Sequence, residues 1–187
     1  MPLPKRTSPR WKEYDYSSAG GYFVTICTKD RACYFGEIVD GKMILNELGR
    51  FAADHWNRIT DHYPFVETHE FICMPNHIHG ILIIGQRGVG TQLFASATWL
   101  ISEANGNERT YKNTSLREQI QPASWSLGAI IRGYKIWITK FATQNDIPFA
   151  RQSRYHDHVI KTAPEYERIM HYIQTNPANW DQDIFHI

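Results

Sequence analysis

Residues 71–84 read FICMPNHIHGILII, two apolar runs that meet at Met74-Pro75-Asn76, with a His-x-His pair opening the second. Side chains alternate between faces along a strand, so His77 and His79 point one way and Ile78 the other. Two imidazoles on one face make a bidentate start to a divalent-metal site. A central strand also fixes their spacing better than a loop does, and both are expected on a partly open sheet face. Two polar side chains on the wet face of an antiparallel strand are the plainer alternative at this point.

On the N-terminal side, Tyr22-Phe23-Val24-Thr25-Ile26-Cys27-Thr28 is β-branched and aromatic, and predicts a strand. Asp40-Gly41, between Ile38-Val39 and Met43-Ile44-Leu45, predicts a hairpin. Asn46 is placed to cap a helix over residues 47–61, whose stripe is Leu48, Phe51, Ala52, His55, Trp56 and Ile59. Tyr63-Pro64 ends it, and residues 65–72 return as a strand. On the other side, residues 85–124 hold no sustained period and read as a long mobile loop. A second helix spans residues 126–144 on a stripe of Leu127, Ile130, Ile131, Tyr134, Ile138 and Phe141. An extended piece over residues 152–160 comes next, and Pro164 opens a last helix that Asn176-Pro177 stops. Two helices over one face of a mainly antiparallel sheet give the simplest closure, an α+β ferredoxin-like sandwich.

The 187 residues fit one domain, with 42% hydrophobic residues and a net charge of +1. A total so close to neutral says less than its distribution. Lys5, Arg6, Arg10 and Lys12 crowd a basic arm over residues 1–18, and Arg132, Lys135, Lys140, Arg151, Arg154 and Lys161 gather on the second long helix and the segment after it. Such patches can track phosphates, and aromatics at 13% suit base stacking as well as packing. Cys27, Cys33 and Cys73 form no C-x-x-C pair and read as free thiols in a reducing compartment. No apolar run has the length of a membrane span, and the N-terminus lacks an apolar signal core, so a soluble, cytoplasmic protein is expected.

MPNHIHG on a strand, GYKIWITKFA on a later helix and the tail RQSRYHDHVI…YERIMHYIQTNPANW resemble the REP-associated tyrosine transposases, single-tyrosine members of the HUH endonuclease superfamily. DYSSAGGYFVTICTKDR and YFGEI are similar to the same family. The resemblance implies the ferredoxin-like core and cleavage of single-stranded or hairpin DNA through a 5′-phosphotyrosine, with a free 3′-OH as the other product. It implies His77 and His79 as ligands of Mg2+ or Mn2+ and matches Tyr134 to the nucleophile. If the stripe of Tyr134 packs on the face that carries the histidines, its hydroxyl is aimed at the metal. A buried core tyrosine is the alternative. Lys5, Arg6, Arg10, Lys12, Arg132, Lys135, Arg151 and Arg154 are the candidate DNA contacts, and a homodimer is compatible with the pattern.

Two positions depart from the family. Several members carry a Gln or Asn metal ligand one turn after the tyrosine, where this chain has Ile138, and His156, Asp157 and His158 are substitutes to consider. The customary Trp-Gln of the tail is Arg151-Gln152 here. Two other functions stay open: a domesticated hairpin-DNA-binding protein that no longer cuts, and a metal-dependent nuclease that uses water.

Overall fold

The structure, a computed structural model, describes residues 19–85 and 126–186. The basic arm with Lys5, Arg6, Arg10 and Lys12 and nearly all of the long loop lie outside the described residues.

Four strands make the main sheet: β1 (Gly20–Cys27), β4 (Val66–Cys73), β5 (His77–Ile84) and β6 (His156–Ile160), in the order β4-β5-β1-β6 with every neighbouring pair antiparallel. β2 (Gly36–Val39) and β3 (Lys42–Leu45) form a separate hairpin, and its turn residues Asp40 and Gly41 take the positive φ angles of 50° and 69° that a tight hairpin turn needs. The helices are α1 (Glu47–Asn57), the single turn α2 (Ile59–His62), α3 (Leu127–Gln144) and α4 (Ala163–Thr175). Asn46, Ser126 and Thr162 cap α1, α3 and α4 through side-chain oxygens that accept from the backbone N–H three residues on. The helix expected over residues 47–61 is therefore two pieces, broken at Arg58.

The path β1-α1-β4-β5-α3-β6 is the ferredoxin-like arrangement expected from the sequence. α1 and α3 cover one face, where Tyr22, Val24, Ile26, Ile78, Leu82 and Ile84 meet Trp56, Ile130, Ile131 and Tyr134. α4 covers the opposite face, where Ile169 and Ile173 pack on Ile81, Ile83 and Ile160. Helices thus lie on both faces, not one. The physical reason is in β5 itself: all eight of its residues are buried, as in a strand covered on both sides.

Gly80 is the contact that lets α1 lie close. A Cβ built there would stand 2.3 Å from Trp56 Cζ2. Gly80→Ala is expected to destabilise the fold by about 1–3 kcal/mol, the usual cost of overpacking a filled core. Denaturant unfolding measures it, and a neutral or stabilising result would show that Trp56 can move aside.

Candidate metal centre

The odd-numbered residues of β5 set the site. Cys27 and Thr25 of β1 lie opposite His77 and His79 and share their face, which is the α4 face. Burial of Ile169 and Ile173 and a 2.7 Å hydrogen bond between His69 Nδ1 and the Tyr166 hydroxyl pin α4 against β4 and β5. That fixes the next turn of α4, which brings Tyr172 to His79, and the C-cap Asn176, which meets Asp183.

Both imidazoles are held at Nδ1. His77 Nδ1 is 2.8 Å from Asn76 Oδ1, and His79 Nδ1 is 2.9 Å from Thr25 Oγ1. His77 Nε2 is buried with no hydrogen-bond partner among the described residues, and so is Asn176 Oδ1. His79 Nε2 lies 3.2 Å from the Tyr172 hydroxyl. Asp183, beyond the short 3-10 segment Pro177–Gln182, accepts from Asn176 Nδ2 at 2.6 Å and from the Tyr172 hydroxyl at 3.4 Å. One ligand atom each from His77, His79 and Asp183 lie within 4.8 Å of one another.

The donor set fits a divalent ion. Two imidazole nitrogens, a carboxylate and an amide oxygen are a mixed N/O set suited to Mn2+ and its relatives. Orphaned buried polar atoms are costly; an ion would satisfy His77 Nε2, and Asn176, whose Oδ1 is also unpartnered, joins the edge of the cluster through its Nδ2 bond to Asp183.

The C-terminal segment closes over this cluster. The Phe185 ring lies 4.7 Å from the His77 ring and 5.8 Å from that of His79, and Trp180 stacks on His77 at 6.0 Å. Arg31 Nη1 donates to Ile184 O at 2.6 Å, and its guanidinium stands 5.5 Å above Phe185. His77 and His79 are consequently 0% and 1% exposed, so the face is closed rather than partly open.

Burial holds the imidazoles neutral, which is the ligating form. It pushes His77 down to about 4, with Asp183 opposing and Arg31 assisting, and it pushes His79 down with help from His77. On unfolding His77 returns to its ordinary value of 6.5. Between those two values the unfolded chain takes up a proton that the folded chain refuses, so acid favours unfolding. Stability of the metal-free protein is expected to be full above pH 6.5 and to fall as pH drops toward 4. Thermal melts across that range test this, and a His77→Gln variant should show a shallower decline; identical slopes would remove His77 as the cause.

Tyr134 is placed elsewhere. It lies on the α1/α3 face, 2% exposed, with its hydroxyl donating to Ala52 O at 2.8 Å and its ring edge-on to Trp56. The sheet stands between it and the histidines, because its stripe packs on the even-numbered side of β5. Burial raises its pKa well above the usual tyrosine value. Ile138, one turn on, is a core residue of the same face.

Of the candidate DNA contacts, Arg132 and Arg154 are exposed, and half-buried Arg151 donates to Thr139 Oγ1. Lys135 is not a surface cation: its amine is buried and donates to the carbonyls of Gln152, Ser153 and Arg154, and burial lowers its pKa to about 8. His156, Asp157 and His158 are outside the cluster, His158 being bound to Glu165. Sequence reasoning misses Tyr172, Asn176 and Asp183. A signal for the first two is present: Tyr172 and Asn176 stand one helical turn apart in YIQTN, the tyrosine-then-amide spacing that Tyr134 and Ile138 fail to supply.

No family model matches the chain. An uncharacterized protein of Haemophilus influenzae is 35% identical over 183 residues, covering 97% of this chain and 93% of that one. Among solved structures, a REP-associated tyrosine transposase bound to a REP hairpin superposes with a TM-score of 0.55 at 14% identity, over 93% of this chain and 74% of that one. A putative transposase of Deinococcus radiodurans gives a TM-score of 0.40 at 13% identity, over 89% and 96% of the two chains. The first of these two structures shares the fold that the sequence resemblance implies. Among the described residues, no helix is long and apolar enough to cross a membrane.

Proposed function

This chain belongs to the same family as the uncharacterized Haemophilus influenzae protein and has the fold of the REP-associated tyrosine transposases, and from that premise we propose that it nicks and transfers single-stranded DNA through a covalent phosphotyrosine. The observation that carries the reading is Tyr172, whose hydroxyl sits 3.2 Å from His79 Nε2 and one turn before the unpartnered Asn176 Oδ1. Tyr172, rather than Tyr134, is the nucleophile of this reading. His77, His79 and Asn176 hold the ion, with Asp183 beside them.

A divalent ion such as Mn2+ or Mg2+ held there would supply positive charge to the phosphoryl oxygens. Tyr172 Oη attacks phosphorus, the bond from phosphorus to the 3′-oxygen breaks, and the DNA 5′-phosphate remains on the tyrosine. The departing 3′-oxygen takes a proton from water and leaves as a free 3′-OH. The tyrosine proton passes to the Asp183 carboxylate, to which the hydroxyl donates at 3.4 Å. Burial and the same carboxylate push the Tyr172 pKa up to about 12, so the hydroxyl attacks as its proton leaves rather than as a standing phenolate. The ester bond stored on tyrosine then allows rejoining without an external energy source.

Hairpin DNA is the substrate proposed, by analogy with the ligand of the solved relative. Hairpin oligonucleotides with single-stranded flanks, incubated with the protein and Mn2+, should give an adduct on a denaturing gel. Metal-dependent cleavage without adduct would replace tyrosine by water as the attacking group. A second reading, hairpin binding without cleavage, is favoured by the C-terminal segment over the histidines. Deleting residues 184–187 separates the two: an adduct that grows supports the enzyme, and binding with no adduct at any length supports the binding protein.

A further inference from the structure

Asn76 precedes the histidine pair in sequence and is 0% exposed, yet it is saturated with hydrogen bonds. Its Nδ2 donates to Arg31 O at 3.1 Å and to Phe185 O at 2.8 Å. Only an NH2 group can serve two carbonyl oxygens, so the amide cannot be turned over, and Oδ1 is the atom that faces His77. An amide oxygen only accepts. The proton on the 2.8 Å contact therefore belongs to His77 Nδ1, and the ring's lone pair is left on Nε2, the buried atom with no partner among the described residues.

The carbonyls that orient the amide are themselves fixed. Asp30 and Arg31 both take left-handed backbone angles, with φ of 54° and 56°, which non-glycine residues adopt at a cost. Thr28 braces that turn, its hydroxyl reaching Ala32 O at 2.8 Å and Asn76 O at 2.9 Å. The strained turn thus presents Arg31 O to Asn76, and Asn76 presents its oxygen to His77.

We propose that Asn76 is a positioning residue which, by accepting from Nδ1, sets the His77 tautomer that offers Nε2 to the metal. This rests on the reading of the cluster as a metal site. The ion itself can be bound by either ring nitrogen of a free imidazole, so without this acceptor His77 would divide between two tautomers and two orientations. Partners of this kind typically govern about 10–100-fold in metal affinity.

Two variants separate positioning from mere packing. Asn76→Asp keeps an acceptor for Nδ1 and loses both donors to the carbonyls. Asn76→Leu has similar volume and loses acceptor and donors alike. Both should lower the melting temperature, because both leave Arg31 O and Phe185 O unserved. Calorimetric titration with Mn2+ alone should show the Leu variant weakened about 10–100-fold and the Asp variant at least as tight as wild type. Long-range nitrogen–proton NMR of metal-free protein should show His77 protonated at Nδ1 in wild type and mixed in the Leu variant. Equal loss of affinity in both variants, or an unchanged tautomer in the Leu variant, overturns the proposal. Wild-type protein that takes up no Mn2+ while its His77 shows the Nδ1–H form would overturn the metal reading and leave the tautomer assignment standing, so the two failures are distinguishable.

Discussion

Tyr172→Phe is expected to abolish the proposed covalent protein–DNA adduct, and Tyr134→Phe to leave it in place. Each substitution removes one oxygen and keeps a ring, so packing changes little and the comparison isolates the hydroxyls. The Tyr172 hydroxyl touches His79 and Asp183 and is attached to a side chain 38% exposed, within reach of a bound strand. The Tyr134 hydroxyl spends its proton on Ala52 O inside the α1/α3 layer. Losing that bond costs about 0.5–1.5 kcal/mol of stability and no chemistry. A denaturing gel for the adduct, a hairpin-binding assay and thermal unfolding on the same two proteins read the roles apart. Adduct at the wild-type rate from Tyr172→Phe, with loss in Tyr134→Phe, would reverse the assignment and require the helices to exchange faces on binding DNA.

His77→Ala or His79→Ala is expected to remove the proposed adduct as well, and Mn2+ binding with it. Loss of a ligand itself exceeds the roughly 10–100-fold effect of an outer partner, and the remaining imidazole is left with only oxygen donors to chelate beside it. Hairpin binding should persist if exposed cations away from the cluster, such as Arg132 and Arg154, make the phosphate contacts. Both substitutions also cost stability, because the imidazoles are buried: Asn76 Oδ1 or Thr25 Oγ1 loses its partner beneath Phe185, at about 1–3 kcal/mol. Unchanged Mn2+ titration in the double variant would move the metal site elsewhere.

The strand with His77 and His79, the antiparallel sheet, the cap at Asn46 and the start of the second helix at Ser126 are legible in the sequence, because each is a local property of a few residues. Which helix faces the histidines is not. A stripe such as Leu127, Ile130, Ile131 and Tyr134 shows that α3 has a buried side, but the period of a helix carries no information about which face of a sheet that side meets. Tyr134 falls into that gap, equally able to face the metal or the far layer until the sheet is built. Ile169 and Ile173 of α4 are core, and the proposed chemistry sits beside them, on Tyr172 and Asn176, at positions that also suit a solvated flank. Asp183 is illegible for a different reason, since only the fold of the last residues brings it back to β5.

The sheet that separates Tyr134 from Tyr172 also divides the molecule's tolerance to change. Most residues of the two layers meet different partners on opposite faces of the sheet, so their substitutions should combine nearly additively, within about 0.3–0.5 kcal/mol. Lineages of this protein can then drift in α1 and α3 without retuning the reaction, and can rewrite α4 and the last residues without refolding the sandwich. A combinatorial library built on the two faces would show it as two nearly independent landscapes, one read by melting temperature and the other by adduct yield.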